Sequence, residues 1–188
     1  MNHDPTKRYG QIDEDQATHI NHLNSMVEYY AKTGTNYNRW HYDPTNKSSH
    51  NYAVREILST MHETNSKTLL DLCCGTGRAV KAALDAGYDA TGLDASPELL
   101  KIATREIGIP ENRLVLGDAT QLPYPDSSFD LCSVLGALHH TARPEAIIQE
   151  MIRVSRRAVI ISDEGNHLWG GIRQILIVEY VRSLLRLI

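Results

Sequence analysis

The sequence predicts an α/β fold, a doubly wound and mainly parallel sheet with helices on both faces. Two observations predict it. From Lys67 onward, short apolar runs alternate with amphipathic stretches, and the connections between them are short. Strands and helices that alternate in this way need crossover helices, and these cover a parallel sheet from both sides.

Five runs read as strands, at residues 68–72, 89–93, 113–117, 130–135 and 157–162. Helices are expected at 77–86, 97–106, 144–154 and, after the last strand, 168–188. In the first, Ala79 with Ala83 and Val80 with Leu84 form one apolar stripe, and Gly87 suits the residue beyond the helix end. The second opens on Ser96 as N-cap with Pro97 at the first helical position. In the third, Ile147, Ile148, Met151 and Ile152 fall at helical spacing. Ahead of this core (66–188) the sequence suggests a polar, mobile tail over 1–15 and an N-terminal helical cap over 16–65. The cap should hold one helix from Ala17 to Lys32, through Ile20, Leu23, Met26, Val27 and Tyr30, ended by Gly34. A polar, aromatic segment follows, and a second helix is expected from about Tyr52 to His62.

Composition narrows the function classes. A chain of 188 residues that is 41% hydrophobic suffices for one domain with a proper core. Its net charge of −4, with no run of Lys or Arg, gives no electrostatic reason to expect nucleic acid as partner. The polar N-terminus lacks the apolar stretch of a signal peptide, and the apolar segment Ile172–Ile188 carries too many charges for a membrane span. The three cysteines, two of them adjacent at Cys73 and Cys74, cannot form a disulfide framework. Reduced thiols and a cytoplasmic address are expected, with no membrane partner. No second Cys/His pair stands at ligand spacing, so no metal is expected.

The chemistry concentrates in TLLDLCCGTGRAV, residues 68–80. An apolar strand carries Asp71 and runs into the turn Gly75-Thr76-Gly77, which opens a helix. Glycine there permits positive φ and lets a ligand approach bare backbone, while the helix start offers unpaired N–H groups. Two more acidic residues strengthen the signal. Asp94 ends the second strand, where a carboxylate can accept the hydroxyl hydrogens of an adenosyl ribose. Asp118 ends the third, where it could accept the amino hydrogens of an adenine. Carboxylates at the C-terminal ends of adjacent parallel strands line one crevice, the place where open α/β sheets bind ligands.

At this point residues 67 to about 164 resemble a class I S-adenosylmethionine-dependent methyltransferase of the group acting on small molecules, with a Rossmann-like sheet. LLDLCCGTG resembles the family's first motif, TGLDAS its second, GDATQLPYPDSSFD its third, FDLCSVLGALHH its fourth-strand segment and AVIISDE its fifth strand. The resemblance implies S-adenosylmethionine as cofactor and a small-molecule methyl acceptor. It gives Gly75, Thr76 and Gly77 the methionine end of the cofactor, with Asp71 supporting the turn and the amino group. It gives Asp94, with Ala95 beside it, the ribose, and Asp118 with the Ala119 backbone the adenine. Leu135 would flank the cofactor, and the aromatic residues Tyr29, Tyr30 and Tyr37 would cover it. Cys73 stands where the family usually has glycine.

Plainer readings compete with several of these. A strand-end Asp can simply cap the next helix; if Asp94 holds the ribose diol, Asp94→Ala is expected to leave folding intact and to weaken the cofactor by about 2–3 kcal/mol. A dinucleotide-binding oxidoreductase would need glycine where Val80 stands. His19 and His22, one helical turn apart, read as surface residues. His140, after His139 and the fourth strand, suits a general base for the acceptor, or merely fills a loop. The rival function is a non-catalytic S-adenosylmethionine-binding or pairing protein of the same fold.

The last expectation concerns residues after the fifth strand. The family resembled closes its sheet with two further strands, apparently lacking here, so the core reads as C-terminally incomplete. A helix over 172–188 would carry a wide apolar arc beside an open sheet edge, and self-association through both is expected.

Overall fold

The change of pattern at Lys67 is where the sheet begins. The computed structural model describes residues 14–41, 49–163 and 173–177, the backbone alone for 35–41, 49, 50 and 173–177. Before the sheet come α1 (Glu14–His41), which opens with Glu14 and Asp15 at its positive end, and α2 (Ser49–Glu63). The core then alternates β1 (Thr68–Leu72), α3 (Arg78–Asp85), β2 (Asp89–Asp94), α4 (Pro97–Arg105), β3 (Leu114–Leu116), β4 (Phe129–Leu135), α5 (Pro144–Val154) and β5 (Ser155–Ser162), and ends on β6 (Arg173–Ile177).

The sheet order is β3-β2-β1-β4-β5-β6, with the first five strands parallel and β6 antiparallel to β5. Strand order reverses between β1 and β4, which opens a crevice at the C-terminal ends of these strands. Side chains alternate between two cores. Leu69, Leu131 and Ile160 face α2 and α3 through Ile57, Met61, Val80 and Ala83. Leu70, Cys132 and Val159 face α5 through Ile147, Met151 and Val154. All of these are buried, as apolar strands sandwiched between helices should be.

Two expectations are corrected. Gly34 does not end α1, which runs on to His41. Gly34 is instead a contact point, for a Cβ built there would stand 3.1 Å from Ile102 Cδ1 and 3.4 Å from Leu99 Cδ2 of α4. The glycine lets α1 lie close on α4. Second, 173–177 is a strand and not part of a helix. It pairs with the edge of β5 in the register Ala158↔Ile177, Ile160↔Ile175 and Ser162↔Arg173. The apolar run Ile175-Leu176-Ile177 suits a strand, and the unpaired N–H and C=O groups of β5 offer it a full ladder. The sheet therefore continues past the fifth strand, and the edge of β5 expected to stand open is covered. The remainder of the expected helix, 168–172 and 178–188, lies outside the described residues, as do 1–13 of the expected tail.

Candidate functional site

The parallel strands β1 to β4 each deliver one part of the site at the C-terminal end. After β1 the chain turns sharply through Cys73, Gly75 and Gly77, with φ of 51°, 57° and 80°. The turn is tied to β2 by Cys74 N–H donating to the Leu93 carbonyl (3.1 Å) and by Gly75 N–H donating to Asp94 Oδ2 (2.7 Å). Gly92 makes this closeness possible, since a Cβ there would fall 2.7 Å from Cys74 Sγ. The other Asp94 oxygen accepts Ser96 N–H at 2.8 Å, while Ser96 Oγ caps α4 by accepting Leu99 N–H. Asp94 holds the turn and the start of α4, and it lines the cavity.

Asp118, in the loop after β3, closes a tight turn by accepting Thr120 N–H and Thr120 Oγ–H on Oδ1, both at 2.8 Å. That loop is held from below by Arg153, which donates to the Tyr124 and Leu122 carbonyls and pairs with Glu150 and Asp126. After β4, Leu135, Gly136 and Ala137 form one wall, followed by a single helical turn over 138–140. Here the Asp163 carboxylate accepts His139 N–H at 3.0 Å and also pairs with His139 Nδ1. The two rings, His139 and His140, lie 3.8 Å apart.

One cavity touches Cys73, Gly75, Asp94, Ala95, Asp118, Ala119, Leu135 and His140. Thr76 and Gly77 stand behind it in the turn. Asp71 is buried beneath it, where it accepts a hydrogen bond from Ser133 Oγ at 2.6 Å. Burial pushes the Asp71 carboxyl up to about 7, against the Ser133 bond and helped by the charge of Asp94. Burial likewise raises Asp94, against the N–H groups of Ser96 and Gly75. Burial works the same way on Asp118, but there Thr120 and His19 outweigh it and hold the carboxyl below the usual carboxylate range. Burial pushes both the Cys73 and Cys74 thiols up, so neither is a ready nucleophile.

Residues 70–161 match a family described as a methyltransferase domain. Over that stretch, just under half of the chain, the sequence is similar to methyltransferase domains. The demethylmenaquinone methyltransferase of Renibacterium salmoninarum is 28% identical over 132 residues, which is 69% of this chain and 55% of that protein. Its counterpart in Geobacillus kaustophilus is 25% identical over 162 residues, or 83% and 62%. The chain spans about half the length of the curated relatives it matches. Among solved structures, the YcgJ protein of Bacillus subtilis aligns at 26% identity with a TM-score of 0.52, over 60% of this chain and 50% of that one. The [4+2]-cyclase SpnF shares the fold at 22% identity, with a TM-score of 0.58 over 88% and 72%.

The cavity is covered by a helix whose part in the site the sequence did not reveal. Leu23, Met26, Val27 and Tyr30, the apolar stripe of α1, line the cavity opposite the strand ends. His19 and His22, expected on the surface, face the same way. His19 is only 6% exposed, and its Nε2 lies 2.8 Å from Asp118 Oδ2 and 3.3 Å from Thr120 Oγ. His22 Nε2 donates to the His140 carbonyl at 2.6 Å. The signal was present in the spacing, since both histidines sit one turn apart and continue the apolar stripe. Tyr30 borders the cavity and Tyr29 is exposed, while the Tyr37 side chain lies outside the described residues.

Proposed function

We propose that this chain binds S-adenosylmethionine in the crevice under α1 and transfers its methyl group to a small-molecule acceptor in the cytoplasm. The observation that carries the reading is the convergence of three strand-end loops, bearing Gly75, Asp94 and Asp118, on one cavity. S-adenosylmethionine supplies a methyl group made electrophilic by its sulfonium. The bare backbone at Gly75 suits the methionine end, with Asp71 beneath it. Each Asp94 oxygen accepts one backbone N–H and keeps a lone pair for a ribose hydroxyl. Asp118 and the Ala119 backbone suit the adenine, and Leu135 flanks the cofactor from β4.

The acceptor end lies by His140, which follows β4 at the cavity wall. Burial, then the neighbouring His139, then His22 lower the His140 pKa, against the pull of Asp163. A neutral imidazole at the cavity wall can take the proton that a hydroxyl or amine acceptor gives up. Little else is required of the protein beyond alignment and exclusion of water. Demethylmenaquinone, named in the relatives, is the first acceptor to try. Incubation with methyl-labelled S-adenosylmethionine, with demethylmenaquinone and then with a metabolite extract, should give a labelled small molecule. Cofactor binding with no labelled product across the panel would favour the non-catalytic reading.

A further inference from the structure

The contact between His19 and Asp118 joins parts of the chain that are 99 positions apart, and ordinary helix packing does not explain it. His19 sits on the buried face of α1, where leucine would pack against the cavity at no polar cost. Instead the ring is almost wholly removed from water, and its Nδ1 has no hydrogen-bond partner among the described residues. A buried nitrogen left unpaired costs stability. The Asp118 carboxylate can only accept, so Nε2 carries the proton in this contact. Oδ1 is already taken by the two Thr120 donors, and His19 is the group that fixes Oδ2.

We propose that His19 is a positioning residue for the adenine site. By donating to Asp118 Oδ2 it aims the carboxylate into the cavity and ties the docking of α1 to occupancy of that site. The inference rests on the cofactor reading above. One oxygen lone pair on Oδ2 remains for the adenine amino group, so His19 and adenine can share the carboxylate. The bond from His22 to the His140 carbonyl gives α1 a second anchor on the acceptor side. A ligand that stabilises Asp118 in its present orientation would therefore hold α1 down across the whole cavity.

The test titrates S-adenosylhomocysteine, the demethylated cofactor, into wild type, His19→Phe and His19→Gln, following binding by calorimetry and α1 by amide hydrogen exchange. Gln can place a donor near the position of Nε2, while Phe keeps the ring without one. Phe should weaken binding about tenfold, and Gln should restore most of it. In wild type and the Gln variant the ligand should slow exchange in α1, but not in the Phe variant. Both variants should keep the sheet, read as slow exchange in β1 and β4. Unchanged or tighter binding by the Phe variant would overturn the inference alone, the tighter case meaning that His19 blocks the adenine. Wild type that binds no S-adenosylhomocysteine would overturn the cofactor reading and this inference with it.

Discussion

Asp94 ties the fold together at a place where it also lines the cavity. Its oxygens satisfy the N–H groups of Gly75 and Ser96, both in buried surroundings. Asp94→Ala would strand the two donors, which corrects the expectation of intact folding: it should cost about 2–4 kcal/mol of stability besides weakening the proposed cofactor binding. Chemical denaturation checks this, and an unchanged unfolding free energy would return Asp94 to a purely ligand-facing role. Cys73 illustrates a different tension. Its φ of 51° is a glycine conformation, which explains why the family it resembles prefers glycine there. His140, proposed as the general base, is the residue whose role would be most directly kinetic. His140→Ala should lower the methylation rate by a factor of about 10² with cofactor affinity intact. Because its pKa is lowered, the wild-type rate should fall only below the usual histidine range. A variant that turns over like wild type would make His140 a wall residue.

At the scale of elements, the turn after β1 is the most demanding piece. A Cβ on Gly77 would collide with Ile109 Cδ1, and φ there is 80°. Gly77→Ala should cost about 2–4 kcal/mol, combining left-handed strain with overpacking. Gly87→Ala is the control, since its φ is 83° but nothing lies within 4 Å, and strain alone should cost about 1 kcal/mol. Equal losses in the two variants would remove the packing part of the argument. The central strands and their helices were legible in sequence because short apolar runs, the Ser96-Pro97 start and the Gly75–Gly77 turn are all local signals. The length of α1 was not, because Gly34 reads as a stop until Ile102 is seen against it. Strand β6 was not legible either. An apolar run such as Ile175-Leu176-Ile177 fits a buried helix or a buried strand equally, and the edge of β5 decides between them. The spacing of His19 and His22 on the apolar stripe could have shown that they face inward, but no periodicity reports the pairing of His19 with Asp118, 99 positions away.

For the whole molecule, the buried acids couple stability to pH. The Asp71 pKa is about 7 in the folded chain, against 3.8 for an ordinary aspartate. Below about pH 4 the group is protonated in both states, and its contribution is fully present. As pH rises from there to 7 the unfolded chain releases the proton while the folded chain keeps it, and stability falls. Asp94, also raised, acts in the same direction. Asp71→Asn stays neutral and can still accept from Ser133 Oγ. It should therefore match wild type near pH 4 and melt at a higher temperature than wild type at pH 8. A lower melting temperature at pH 8 would mean that Asp71 is stabilised as an anion.

The cavity as a whole makes the central claim, that strand-end carboxylates and α1 together form a site for an adenosyl cofactor. Calorimetric titration of the wild-type chain with S-adenosylmethionine, with NADH in a parallel cell, tests it most directly. Saturable, one-to-one binding of S-adenosylmethionine is expected, weakened in the Asp118→Ala variant, with none of NADH. Binding of NADH alone, or of neither ligand, would contradict it.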